Sequence, residues 1–437
     1  MPTASFFSPE TVALHTGYRP EPPYNSRAVP IYQTTSYAFT DSAAGAALFN
    51  LEQGGHIYSR ITNPTVAVLE QRLAALEGAV GSVCTASGMS ALFSTFMTLC
   101  SAGDHIVSAA QIYGSTATLL RHTLKRFGIS TSFVDINDHA AVAAAIQDNT
   151  KLLFCESIGN PGLDIADLPK LAEIAQQQAL PLVVDATFST PALARSIEQG
   201  AHIVVHSLTK WIGGSGNALG GAIIDAGTFN WGTEQRAFPT LTSDYAPFQG
   251  LNFWEEFGPA AFSMRVRAEA MRDFGAALSP QNAFLLLQGL ETLALRMPKH
   301  VENALALATW LSQQAGVAWV NYPGLSSHPH YKLAQQLLPK GAGSVLSFGL
   351  EGGLAAGLAF MDALQLATNL ANVGDSRTLV LHPASTTHSR LDAAALKAAG
   401  ISADMLRVSV GLEALADIQT DFSRGLKAAL KATAVKE

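Results

Sequence analysis

The chain has 437 residues, and at roughly 150 residues per domain this length predicts two to three domains. Apolar residues make up 48%, with 36 Gly and 20 Pro, which excludes a linker or a collagen. Charged residues are sparse at 14% against a usual ~25%, so further surface is expected to be buried in an oligomer. The net charge of −7 argues against a nucleic-acid partner, which calls for a basic patch.

No membrane partner is expected either. Residues 78–103 carry no formal charge, yet they include five Ser, three Thr and four Gly. That is too polar for an apolar span of ~20 residues and predicts a buried turn and helix. The opening MPTASFFSPE lacks a basic region followed by an apolar core, so a secretory signal is not expected and a cytoplasmic location is. Cys84, Cys100 and Cys155 sit in apolar surroundings without CxxC spacing and read as small buried hydrophobes. No metal site is expected.

In chain order, the first 55 residues read as an irregular arm, with six prolines by Pro30. A helix is predicted from Asn63-Pro64-Thr65, with Asn as cap and Pro at the first position. Its apolar stripe is Val66, Leu69, Leu73 and Leu76, and Gly78 is placed to end it. To about residue 225, short apolar runs (105-HIVS, 151-KLLFCES, 181-PLVVDAT, 201-AHIVVHS, 219-LGGAII) alternate with helical segments such as 167–179. Continuous apolar runs predict strands buried on both faces, hence an α/β domain with a mostly parallel sheet.

Residues 226–262 hold nine of the 35 aromatics, too many for a solvated linker, and predict an ordered, packed insertion. Ser279-Pro280 opens a helix predicted to run to about Arg296, with another to about Gln314. The runs 317-VAWVNYPG, 343-GSVLSFGL and 405-MLRVSVGLE predict a smaller C-terminal α/β domain. The tail, with Lys427, Lys431 and Lys436, reads as a short helix whose cations compensate its dipole. The boundaries expected are an arm over 1–62, a large domain over 63–278 and a small domain over 279–437.

The stretch most informative about chemistry is 206-HSLTKWIGGSGNALGG, which follows a buried strand. Ser207 and Thr209 suit a phosphate, and Lys210 beside them in a desolvated pocket would have a lowered pKa. A neutral amine is what a Schiff base to an aldehyde cofactor requires. Taken alone, a lysine after a strand is a solvated surface charge. A dinucleotide loop fails, because Leu219 stands where GxGxxG needs its third glycine, and a P-loop fails because Trp211 follows Lys210.

Two further features favour the lysine reading. Asp185 ends 181-PLVVDAT at the carboxyl edge of the sheet, where α/β ligands bind, and could pair with a protonated pyridine nitrogen. It could equally be a turn aspartate. The segment 85-TASGMSAL is a small-residue turn opening a helix, whose N–H groups at Ser87-Gly88-Met89 would bind an anion. Together these describe a phosphate-bearing pyridine aldehyde, pyridoxal 5′-phosphate.

The chain resembles the Cys/Met-metabolism group of pyridoxal-phosphate enzymes, and within it the O-acetylhomoserine sulfhydrylases. The resemblance runs from 26-SRAVPIYQTTSYAF through 57-IYSRITNPT, 206-HSLTKWIGG, 258-GPAAF, 293-LALRMPKHVENALALA, 372-NVGD and 382-HPASTTHS to 406-LRVSVGLE. The aromatic insertion is similar to one these sulfhydrylases carry. The resemblance implies the PLP-dependent transferase fold of the aspartate-aminotransferase type I kind, with pyridoxal 5′-phosphate as cofactor.

It also implies roles. Lys210 matches the Schiff-base lysine and proton shuttle, and Asp185 the pyridinium partner. Ser87, Gly88, Met89, Ser207 and Thr209 match phosphate ligands. Tyr113, in 111-QIYGST, matches the aromatic that stacks on the ring and assists as acid or base; without the family it reads as a core or interface tyrosine. Tyr58 and Arg60 match residues that reach the neighbouring subunit's phosphate, which implies a homodimer as minimal active unit and a homotetramer as the usual assembly. Arg407, a lone charge in an apolar strand, matches the substrate-carboxylate arginine, a role its planar fork suits. Asn160, in 156-ESIGNPGL, matches an asparagine near the cofactor oxygen and the substrate carboxylate.

Ser215, Asn217 and Ala218 depart from the family pattern, where a histidine and a Thr-Ser pair are usual. Asn372 replaces the Ser-Leu-Gly start common in cystathionine enzymes and methionine lyases, and favours the sulfhydrylase branch. The resemblance therefore implies γ-replacement: O-acetyl-L-homoserine plus sulfide gives L-homocysteine plus acetate, with methanethiol giving methionine. Cystathionine γ-synthase, a γ-lyase, and O-succinyl- or O-phosphohomoserine as substrate stay open as alternatives.

Overall fold

The computed structural model describes residues 7–50, 52–387, 389, 396 and 400–434. The first long helix, Pro64–Glu77, forms as its spacing predicts. The Asn63 side chain accepts from the N–H groups of Thr65 and Val66, and Gly78 ends the helix at φ 78°. Val66, Leu69, Leu73 and Leu76 are all buried. Before it the arm is mostly exposed, but not irregular throughout: short helices span Pro9–His15 and Ser42–Phe49, the second capped by Asp41.

The segment 78–103, expected as a turn and a helix, contains a strand first. It is β1 (Gly81–Thr85), and helix Gly88–Leu99 follows. Only Val83 and Cys84 of its five residues are apolar, so no local run marks it, and pairing with a distant strand decides it. The other strands of this sheet are β2 (His105–Ala109), β3 (Ser130–Val134), β4 (Thr150–Glu156), β5 (Leu182–Asp185), β6 (Ile203–Ser207) and β7 (Gly221–Asp225). Their order is β1-β7-β6-β5-β4-β2-β3. Strands β6, β5, β4, β2 and β3 are parallel, and β7 runs antiparallel to both its neighbours. The sheet is mostly parallel, as expected, and its inner strands are buried on both faces. Edge strand β3 is half exposed and lacks the apolar run that marks the others.

In-register pairing sets the site. Asp185 lies beside Glu156 on one side and Val205 on the other, so β4, β5 and β6 deliver their last residues to one edge. The aromatic insertion is ordered and packed: Trp231, Phe238 and Phe253 are buried, Trp231 stacks on Phe262 at 5.7 Å, and the Arg265 guanidinium lies 3.8 Å from the Tyr245 ring centroid.

Helix Pro280–Glu291 stops before the expected Arg296, because the backbone leaves helical geometry at Thr292 before helix Leu293–Leu311 begins. Beyond it lies a second sheet of β8 (Val317–Asn321), β9 (Val345–Leu350), β10 (Thr368–Asn369), β11 (Leu379–Leu381) and β12 (Met405–Ser409), in the order β10-β11-β12-β9-β8. Phe348 of β9 meets Phe360 and Phe422 from helices Gly353–Ala363 and Leu415–Ala434. The tail helix is thus not short: it has 20 residues and buries Ile418, Phe422, Leu426 and Ala429 at helical spacing. Lys436 lies outside the described residues. No helix among them is long and apolar enough to cross a membrane.

Candidate active site

The site is built where the carboxyl edge of the large sheet meets the second sheet. Lys210 follows β6 and is partly buried, and its Nζ donates to Asn372 Oδ1 at 2.5 Å. Burial, with help from the Arg407 charge, pulls its amine down from the usual lysine range to about 8. About half of the amine is then neutral near pH 8, where an ordinary lysine is almost wholly charged. Arg407, on β12, donates through Nη1 to Asn160 Oδ1 at 3.2 Å and through Nη2 to the Asn372 carbonyl at 3.5 Å. Burial lowers its guanidinium to about 10, so it stays charged. A planar cation held by two neutral acceptors, with donors to spare, suits a carboxylate.

Asp185 sits at the end of β5, and burial pushes its carboxyl up. Both of its recorded hydrogen bonds fall on Oδ1, from the Thr187 N–H at 3.0 Å and the Thr187 hydroxyl at 2.6 Å. No hydrogen bond among the described residues reaches Oδ2. A partly buried carboxylate with one oxygen left over suits a cation.

Helix Gly88–Leu99 points its start at the same region. Ser87 caps it: its Oγ accepts the Ser90 N–H at 3.1 Å, and its own N–H donates to Ser90 Oγ at 2.9 Å. Ser87 is therefore committed to a capping box. Gly88 and Met89 hold the first helical positions, whose N–H groups have no acceptor within the helix. A Cβ on Gly88 would come within 2.7 Å of Ser207 Cβ, so helix start and strand end close on one another only because residue 88 is glycine. Thr209 Oγ1 holds the Gly220 backbone, accepting its N–H at 3.2 Å.

The structure thus brings Lys210, Asn372, Arg407 and Asn160 together, and places Asp185, Ser207, Gly88 and Met89 around the ends of β5 and β6. Tyr113, at the start of helix Gly114–Thr118, is 47% exposed, free to lie against a ring. Tyr58 and Arg60 make no recorded contact with this cluster in their own chain. The Arg60 guanidinium lies 5.4 Å from the Tyr58 ring and donates to the Arg272 carbonyl. Ser215 and Asn217 are exposed and Ala218 is buried.

Several positioning residues escape sequence reasoning. The Thr187 hydroxyl links Asp185 to Ser207, whose N–H it accepts at 2.8 Å. Arg296 donates to the carbonyls of Trp211 and Ile212, and Ser376 to that of Gly214, fixing the lysine loop from helix Leu293–Leu311 and from the segment before β11. Trp211, fully buried, donates to Ser344 Oγ at 2.8 Å. These are contacts across 84 to 162 residues of chain or ordinary turn residues, and no local pattern marks them.

A model of the family described as Cys/Met metabolism PLP-dependent enzyme matches residues 10–427. The chain belongs to that family. It is 48% identical to the homocysteine synthase of Schizosaccharomyces pombe over 421 residues, which is 96% of this chain and 98% of that protein. It is also 48% identical to O-acetyl-L-homoserine sulfhydrylase 1 of Thermus thermophilus over 419 residues, 95% and 99% of the two chains. Among solved structures, a putative O-acetylhomoserine (thiol)-lyase from Campylobacter jejuni superposes with a TM-score of 0.93 at 40% identity, covering 96% of this chain and all of that one. That structure carries N′-pyridoxyl-lysine-5′-monophosphate.

The residues here fit such a group on their own chemistry. They supply a depressed lysine amine, a partly buried carboxylate with one oxygen left over, and a helix start cradled against Ser207.

Proposed function

We propose that this chain is a pyridoxal-phosphate-dependent γ-replacement enzyme that converts O-acetyl-L-homoserine and sulfide to L-homocysteine and acetate, with methanethiol as an alternative thiol. The observation that carries this reading is the meeting of Lys210, Asn372 and Arg407, which come from the loop after β6, the segment between β10 and β11, and β12. The names of the relatives support the same reading.

In this proposal Lys210 holds the cofactor's aldehyde carbon, Asp185 Oδ2 its ring nitrogen, and Gly88, Met89, Ser207 and Thr209 its phosphate, with Ser87 capping the helix behind. When bound, the cofactor supplies an electron-withdrawing ring that stabilises negative charge at the substrate Cα. Arg407 grips the substrate carboxylate, steadied by Asn160, and so aims the α-hydrogen at Lys210. The Lys210 amine, neutral in a useful fraction near pH 8, removes that proton and carries protons between Cα and Cβ. Acetate leaves from Cγ, and sulfide takes its place. Asn372 holds the lysine amine near the reacting carbons through these transfers. Tyr113 lies on the ring face.

Tyr58 and Arg60 serve the neighbouring subunit's phosphate, so the smallest active unit is a homodimer, and the assembly a homotetramer in the cytoplasm. The division into an arm (1–62), a large domain (63–278) and a small domain (279–437) belongs to the same proposal.

Product analysis tests it. Purified protein loaded with pyridoxal phosphate is given O-acetyl-L-homoserine with sulfide, with cysteine, or with no thiol, and the O-succinyl and O-phospho esters run in parallel. Homocysteine from the acetyl ester, with little cystathionine or 2-oxobutyrate, is the expected result. Mainly cystathionine or 2-oxobutyrate overturns it in favour of a synthase or a lyase.

A further inference from the structure

Glu156 is the last residue of β4 and only 7% exposed. Both of its carboxylate oxygens are engaged, each by a different loop. Oε1 accepts the Tyr113 N–H at 2.6 Å, from the loop after β2. Oε2 accepts the Asn160 N–H at 3.1 Å, from the loop after β4 itself. Asn160 in turn receives Arg407 Nη1 on its side-chain oxygen. One buried carboxylate is therefore the common anchor of the residue that would face the ring and the residue that steadies the substrate-binding arginine.

Placing an acid here is unfavourable taken alone. Burial raises its carboxyl well above the usual range and the neighbouring Asp185 raises it further, while only the two backbone N–H groups oppose this. A buried acid beside a partly buried one, at paired positions of β4 and β5, adds a repulsion that a fold without a use for both would avoid. A neutral residue could fill the volume. What it could not do is accept from two converging N–H groups, one on each oxygen.

We infer that Glu156 is a positioning residue that brackets the Tyr113 and Asn160 loops, and through Asn160 sets the reach of Arg407 toward the substrate carboxylate. The catalytic consequence rests on the function proposed above; the bracket itself does not. A cavity of about 120 Å³ bordered by Gln111, Asp135 and Gly159 lies beside Glu156. Water there can satisfy a released N–H, so loss of the bracket displaces the loops without unfolding the sheet.

The test uses the whole cofactor-loaded protein with Glu156→Gln and Glu156→Asp. Glutamine turns an N–H₂ toward one of the two N–H donors, and aspartate keeps the charge but reaches only one loop. Backbone hydrogen exchange is read first, because it needs no turnover. Exchange at the Tyr113 and Asn160 amides should rise by about tenfold or more, while β5 and β6 keep their protection. KM for the amino-acid substrate should then rise by about tenfold with a smaller change in kcat, as loss of uniform substrate binding requires. The ring-face change should also shift the circular dichroism of the lysine-bound cofactor.

Unchanged exchange at both amides in both variants overturns the inference. So does protection lost evenly across β4, β5 and β6, which would make Glu156 a fold-stability residue only. Failure of the proposed reaction with altered exchange at the two amides would instead sink the functional reading and leave the bracket standing.

Discussion

Thr187→Val isolates a single hydroxyl whose loss should be felt at the cofactor. The side chain keeps its shape, but Asp185 Oδ1 loses the 2.6 Å bond and the Ser207 N–H loses its acceptor at 2.8 Å. A hydrogen bond to a charged group contributes about 1.5–3 kcal/mol. At about 1.4 kcal/mol per decade, that converts to a roughly tenfold to 150-fold weaker hold on pyridoxal phosphate. The sign follows from the forces on Asp185: burial raises its carboxyl, and the Thr187 bonds oppose that rise. Without the hydroxyl the carboxyl moves further up, so Asp185 takes a proton, and releases the ring nitrogen, at a higher pH as the solution is acidified.

The assay is titration of cofactor-free protein with pyridoxal phosphate, followed by the absorbance of the lysine adduct at several pH values. Thr187→Ser is the control, since it restores both bonds. The valine variant should bind more weakly with the loss growing below neutral pH, and the serine variant should follow the wild type. A valine variant that binds within about twofold of the wild type across the pH range would show that Asp185 needs no help from Thr187, and the reasoning would fall.

Lys210 of the cofactor-free protein should react with an acylating reagent along a curve with its midpoint near pH 8, and a midpoint in the ordinary lysine range would contradict the burial described. Because its folded pKa lies below the unfolded one, the same group makes stability rise between pH 8 and the unfolded lysine value, measurable as a rising melting temperature. Arg407→Lys keeps the charge but loses the planar fork, and should lower kcat/KM by about one hundredfold or more, chiefly through KM. Gly88→Ala places a methyl within 2.7 Å of Ser207 Cβ; it should weaken cofactor binding by about tenfold or more. An alanine variant with wild-type affinity in the same titration would disprove the cradle.

Much of this protein is legible in its local patterns because the physics there is local. The cap at Asn63, the glycine stop at Gly78 and the buried runs that became β2, β4, β5, β6 and β7 each declare themselves within a few residues. Asp185 and Lys210 stand out in the sequence only in combination, each following a buried apolar run, since alone one reads as a turn aspartate and the other as a solvated lysine. Where the reading failed, the deciding contact lay far along the chain. Strand β1 has no local mark, because only two of its five residues are apolar and it is pairing with β7, some 140 residues on, that makes it a strand. The tail helix was read as short because its stripe of Ile418, Phe422, Leu426 and Ala429 has meaning only against Phe360 and β9.

The sequence by itself determined the alternation of strands and helices, the identity of the residues that can do chemistry, and the family. It could not supply the meeting of Lys210 with Asn372, 162 residues away, or of Arg407 with Asn160, 247 residues away. Nor could it mark Thr187 and Glu156, whose roles consist wholly of what they face. Propensity, capping and burial act over a turn or a strand and leave a periodic trace, whereas a site is a convergence of chain segments that only the packing of the two sheets brings within hydrogen-bond reach.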